Sequence, residues 1–159
     1  MNDLRQTIRA KTDPPPFALA TIAAPIVAFA LARGMTLAEV EAAAGVTAQD
    51  LADPNARLKD NVPPLLWRAL MDAFPGEALA SEMARAAPLS SLGGLLHGAQ
   101  FAATVGEALR FIAEHSPYVA DRIEVAFLHA GNETVFTAWH PNDPVDRGRT
   151  SELGIGLVW

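Results

Sequence analysis

The hydrophobic period changes once along this chain, and that change limits the architectures open to it. From about residue 22 to residue 113 apolar side chains recur at helical spacing; from 123 to 138 they alternate with period two. Leu66, Ala69, Leu70, Ala73 and Phe74 lie on one helical face, after an Asn61-Val62-Pro63-Pro64 start whose prolines fit a first turn. Val105, Ala108, Leu109, Ile112 and Ala113 give the cleanest amphipathic stripe. Ile123, Val125 and Phe127 then alternate toward Gly131-Asn132, a good type II′ turn, and Thr134, Phe136 and Ala138 alternate back. The expected fold class is α+β: a mostly helical layer packed on a small antiparallel sheet, a hairpin at about 122–140 that pairs Phe127 with Phe136.

Helix boundaries are marked by local chemistry. Thr36 with Glu39, and Thr104 with Glu107, are capping boxes, in which the hydroxyl takes the third helical amide and the carboxylate returns to the cap's own amide. Thr47 and Asp50 start another short helix, and further helices are expected over 77–86 and 92–101. Loop 141–149 should lead to a helix start at Thr150-Ser151. Residues 1–16 read as a flexible arm closed by Pro14-Pro15-Pro16. Residues 17–159 are then expected to form one domain. The apolar end, Leu153, Ile155, Leu157, Val158 and Trp159, together with a sheet of one hairpin, implies a fold truncated at its C-terminus.

The uncharged stretch 17–32 admits two readings. Basic residues before it and Ala30-Leu31-Ala32 at its end resemble a signal peptide or anchor. Asp3, Asp13, the three prolines, Pro25 and the Ala/Thr dilution favour a central helix over about 22–33, apolar on nearly every side. Alanine, about one residue in five, strengthens the helical expectation. A net charge of −6 works against a nucleic-acid footprint, and the absence of cysteine excludes disulfides and thiolate chemistry and suits the cytoplasm.

No motif carries catalysis. Residues 36–51 have helix-turn-helix spacing, but contain Glu39, Glu41 and Asp50 and no Lys or Arg, so packing is the expected role. His97, His115, His129 and His140 show no metal-ligand spacing, so no metal and no cofactor are expected. Gly93, Gly94 and Gly98 fit close helix contact or a cavity edge better than a phosphate loop. Glu107, Arg110 and Glu114 read as a solvated ladder. A small-ligand site has these candidates: His97, Gln100 and Phe101 on one helix, and Trp67, Arg68, Trp139 and His140 as aromatic walls and polar points elsewhere. Core tryptophans with polar rims would give the same pattern.

Taken in order, several segments resemble one family. They are Ala32-Arg33-Gly34-Met35-Thr36, Gly45-Val46, Leu51-Ala52-Asp53-Pro54-Asn55-Ala56-Arg57 and Leu66-Trp67. Leu92-Gly93-Gly94-Leu95-Leu96-His97-Gly98-Ala99, Thr104-Val105-Gly106-Glu107-Ala108-Leu109 and the hairpin after Val119 follow. Together they resemble the N-terminal, arabinose-binding-like effector domain of AraC-type transcriptional regulators. The resemblance implies a non-enzymatic bacterial regulatory domain that senses a small molecule of unspecified identity in the cytoplasm and forms a homodimer. It also implies DNA contact only through a separate C-terminal domain, and no membrane partner. A dimerisation or interaction domain without sensing is the alternative.

Overall fold

The computed structural model describes residues 14–87, 93–130 and 133–156, and of 127–130 the backbone only. β1 (Phe17–Leu19) runs directly into α1 (Ala20–Ala32). Next come α2 (Leu37–Ala44), α3 (Ala48–Ala52), β2 (Arg57–Lys59), α4 (Val62–Ala73) and α5 (Leu79–Ala86). They are followed by α6 (Gly93–Ala99), α7 (Val105–His115) and a 3-10 turn (Ser116–Tyr118). β3 (Glu124–Ala130), β4 (Glu133–Trp139), the single turn α8 (Asp143–Asp146) and α9 (Arg149–Gly156) come last. The fold is α+β and mostly helical, as the period change predicts, with two small antiparallel sheets of two strands each.

The hairpin has the expected register, Phe127 opposite Phe136 and Val125 opposite Ala138; the turn residues Gly131 and Asn132 lie outside the described residues. So do residues 1–13 of the expected arm, Pro88 to Leu92, and the apolar end 157–159. The second sheet was not foreseen. β1 pairs with β2, Leu19 opposite Arg57, and Ala18 also bridges to Ala120. The Arg57 guanidinium stands 3.9 Å over the Phe17 ring, and Leu58 is buried beneath, so the short pair is held by side chains as well as its ladder.

α1 starts at Ala20, earlier than the expected 22, so Pro25 falls beyond its first turn. The reason is external satisfaction of its first amides. Ala20 N–H donates to the Ala56 carbonyl (2.9 Å) and Thr21 N–H to that of Pro54 (3.1 Å), in place of a side-chain cap. The helix is not surrounded either: Ala20, Ala23, Ile26, Val27 and Ala30 are buried, while Ala28, Leu31 and Ala32 face solvent. The central position belongs to α4, which packs against α1, α2, α8 and α9 and buries Leu66, Trp67 and Leu70. Trp67, Ile26, Leu70, Leu79, Val40 and Val46 are the largest fully buried apolar groups. Truncating such a leucine or isoleucine costs about 2–5 kcal/mol.

Other boundaries move for local reasons. α5 begins at Leu79 rather than 77, and α6 spans Gly93–Ala99 rather than 92–101. Thr104 Oγ1 accepts the Glu107 amide at 3.2 Å, but the Glu107 carboxylate takes the Ala103 amide (3.0 Å), one residue earlier than a capping box requires. α9 begins at Arg149, because the buried Asp146 carboxylate accepts from the amides of Gly148 (2.9 Å) and Thr150 (3.0 Å) and from the Thr150 hydroxyl (2.5 Å). α9 then lies on α5, with Gly156 so close to Ala84 that a Cβ there would stand 2.9 Å from its methyl.

Candidate functional site

The helical layer and the hairpin do not close completely on each other. Between them lies a cavity of about 100 Å³. α1 contributes Ile22 and Ile26, α6 Leu95 and Leu96, and α7 Ile112. Opposite them stand Ile123, Val125, Phe136 and Ala138 from the hairpin and its root, with Leu153 of α9. The alternation of the hairpin produces this wall: Val125 and Ala138 are cross-strand partners, and Phe136 shares their face. The few polar side chains at the rim are already engaged. Ser116 Oγ donates to the Ile112 carbonyl (2.5 Å), and the Thr150 hydroxyl donates to Asp146.

A second cavity of about 80 Å³ adjoins it, sharing Ile22, Ile123, Ala138, Thr150 and Gly154. Its far end is polar, formed by Asp60, His140, Asn142, Asp143 and Asp146. These groups bind one another. Asp60, before α4, pairs with Arg122 and accepts from Asn142 Nδ2 at 3.4 Å. His140 Nδ1 accepts the Asn142 amide (3.1 Å), which places the ring proton on Nε2, donating to the Asp121 carbonyl (3.1 Å). The Asp121 carboxylate in turn accepts the Phe17 amide at 3.1 Å. Asp143 accepts from Ser151 Oγ (2.9 Å) and the His140 amide (2.9 Å). Arg122 sits at φ 62°, a left-handed conformation that costs a residue with a side chain, and its ion pair with Asp60 holds it there. The network ties β1, the start of α4, the hairpin root and α8 into one joint.

The seven residues singled out in the sequence occupy separate places. His140 alone lines these cavities. Trp67 is fully buried in the core, and its indole N–H has no hydrogen-bond partner among the described residues. Arg68, beside it on α4, is exposed and faces a cleft on another side of the molecule. His97 and Phe101 meet edge to face, ring centroids 5.2 Å apart, but Phe101 is 79% exposed and Gln100 is exposed as well. Trp139 is 48% exposed on the outer face of β4. Sequence reading missed the cavity wall itself. Its signal was present in the inward positions of the hairpin and in Leu95-Leu96, immediately before His97.

The helix-turn-helix lookalike is a packed corner. Thr36 with Glu39 and Thr47 with Asp50 both form complete capping boxes, and Gly45 turns the chain at φ 63°. Val40, Ala44 and Val46 are buried, leaving Glu39 and Gln49 on the outside. The hydrogen bonds from Thr36 hold the Glu39 carboxyl below its ordinary pKa, its backbone amide contributing most, and those from Thr47, its hydroxyl first, do the same for Asp50. Among the described residues no group of three or more His, Asp or Glu is arranged to hold a metal ion, and no helix is long and apolar enough to cross a membrane.

No curated protein and no solved structure matches this chain. A family model described as the arabinose-binding domain of AraC transcription regulator, N-terminal, matches residues 34–159, which takes in every element from α2 onward. The chain therefore belongs to the family of N-terminal, effector-binding regulatory domains of AraC-type transcription regulators.

Proposed function

We propose that the effector binds in the apolar cavity between the helices and the hairpin, and that its binding is read out through the hairpin in a homodimeric, cytoplasmic regulator. The cavity wall carries this reading. At about 100 Å³ it is smaller than the roughly 300–1,000 Å³ of typical ligand sites, so an effector must lift the hairpin from α7 and α9 to enter. The hairpin's outer face presents Val135 (45% exposed) and Trp139, a surface suited to a second copy of the chain. A ligand beneath the hairpin and a partner above it would be coupled through the position of one element, a population shift between two arrangements. Contact with DNA is assigned to a separate domain, since 36–51 offers acidic side chains and no Lys or Arg.

The wall also selects the kind of effector. A pentose would bury several hydroxyls against aliphatic side chains whose polar neighbours are already bonded, at about 1–3 kcal/mol for each group left unpaired. A small molecule with an apolar body fits instead. Saturating ligand at a hundred times its Kd stabilises by about 2.7 kcal/mol, readily seen in a thermal unfolding screen. Apolar-bodied metabolites should raise the Tm of the wild type and not of Ala138→Leu, which fills the cavity. A pentose raising both equally would refute the cavity as the site. The second reading, dimerisation without sensing, is favoured by the exposed Val135 and Trp139 face. It predicts a dimer whose Tm no metabolite alters.

A further inference from the structure

The molecule carries a net charge of −6, yet Arg68, Arg147 and Arg149 line a single cleft of about 670 Å³. One wall is the end of α4 with the turn 74–77, and the other is the connection from α8 to α9. The cleft shares no lining residue with the apolar cavity or its polar neighbour. Its volume falls within the range of small-molecule sites.

Three guanidinium groups and two carboxylates, Asp72 and Glu77, line it. Arg33 binds Glu77 and Glu82 together, and Arg149 is held through Nη1 by Glu152. Arg68 and Arg147 make no ion pair with a carboxylate among the described residues. Arg149 Nε is buried with no hydrogen-bond partner among the described residues. Arg147 stands at φ 54°, in the left-handed region that glycine occupies more easily, so the backbone holds a guanidinium at this lip against its own preference. Asp146 takes the amides of Gly148 and Thr150 at the start of α9, so the arginine side chains are the cleft's main donors.

We infer that this cleft is a second ligand site, one that takes a small molecule through an oxyanion group, carboxylate or phosphate. Guanidinium groups stay charged at all working pH values and match both anions with paired N–H donors. Arg68 and Arg147 grip the anion, and the Arg149 guanidinium adds positive charge beside them. The inference does not depend on the effector reading of the apolar cavity.

Calorimetric titration and thermal unfolding of the full chain with inorganic phosphate and, separately, citrate test it, at ionic strength held constant with sodium chloride. Both anions also stabilise proteins non-specifically by exclusion from their surfaces, so the variants decide. Arg147→Gly relieves the left-handed strain while deleting the guanidinium, and Arg68→Gln changes an exposed side chain; both should fold. The expected result is saturable binding to the wild type, weakened at least tenfold in each variant and unchanged in Gly94→Ala, an exposed position outside the cleft. Tighter phosphate binding identifies a phosphate ester as the ligand class, and tighter citrate binding a carboxylate. No saturable binding of either anion, or equal binding by wild type and both arginine variants, overturns the inference.

Discussion

Single residues set the local boundaries of this fold, and two threonines show how. Thr36 and Thr47 each donate an amide and a hydroxyl to a carboxylate three residues on, which keeps Glu39 and Asp50 ionised below their ordinary range. A carboxyl depressed in the folded state contributes stability that is complete above its unfolded pKa, about 4.3 for Glu and 3.9 for Asp, and is lost as pH falls through the folded value. α2 and α3 should therefore loosen only in acid, below about pH 4. The hydroxyl is the larger influence on Asp50, whereas the backbone amide is the larger one on Glu39. Carboxyl-carbon NMR titration should then show the Asp50 pKa rising in Thr47→Val and that of Glu39 rising in Thr36→Val; an unmoved value in either variant would show that the cap hydroxyl does not hold its carboxylate. These caps were legible in the sequence because every partner lies within three residues. Asp60, Asp121 and His140 were not legible as a joint, because Asp60 meets Asn142 across 82 positions and Asp121 meets Phe17 across 104.

Elements meet where small residues let them, and the glycines of α6 separate two effects that sequence alone merges. Gly98 and Gly94 both sit in this helix, where alanine is preferred by up to about 1 kcal/mol. A Cβ at Gly98 would lie 2.6 Å from the Phe111 ring of α7, whereas one at Gly94 meets nothing within 4 Å. Gly98→Ala should therefore destabilise by about 1–2 kcal/mol, overpacking outweighing propensity, while Gly94→Ala should be neutral or stabilising. Urea unfolding measures both, and Gly98→Ala with Phe111→Leu should recover most of the loss. A stabilising Gly98→Ala would show that the two helices are free to part. Sequence periodicity located α4 and α7 because their buried faces repeat within the element. It could not find β1 and β2: three residues each, FAL and RLK, too short to alternate, and joined across about forty positions. It placed α1 at the centre because its sequence is apolar all round, yet alanine tolerates solvent, and the Trp67 face of α4 took that position.

At the scale of the whole molecule, a helical core and a hairpin are joined through one polar hinge. The core is continuous from α1 through α4 to α9, whereas the hairpin packs against α7 and α9 and leaves Val135 and Trp139 of its outer face exposed. Few buried contacts mean early local opening, so hairpin amides should exchange with deuterium before those of α4. The hinge controls how far that opening goes. Asp60 is nearly buried and pairs with Arg122, which is 45% exposed. Asp60→Asn leaves that guanidinium free to hydrate, so the cost should be about 1–2 kcal/mol rather than the 3–5 kcal/mol of a buried charge left unpaired. The consequence should be local. Exchange should quicken at 120–123 and 139–143 and across β3 and β4, with α4 and α5 unchanged. If Asp60→Asn instead accelerates exchange evenly over the chain, the joint is part of the global core and the hairpin is no separate element. If, as proposed, the effector enters by lifting the hairpin, the same variant should also speed its association in stopped-flow binding.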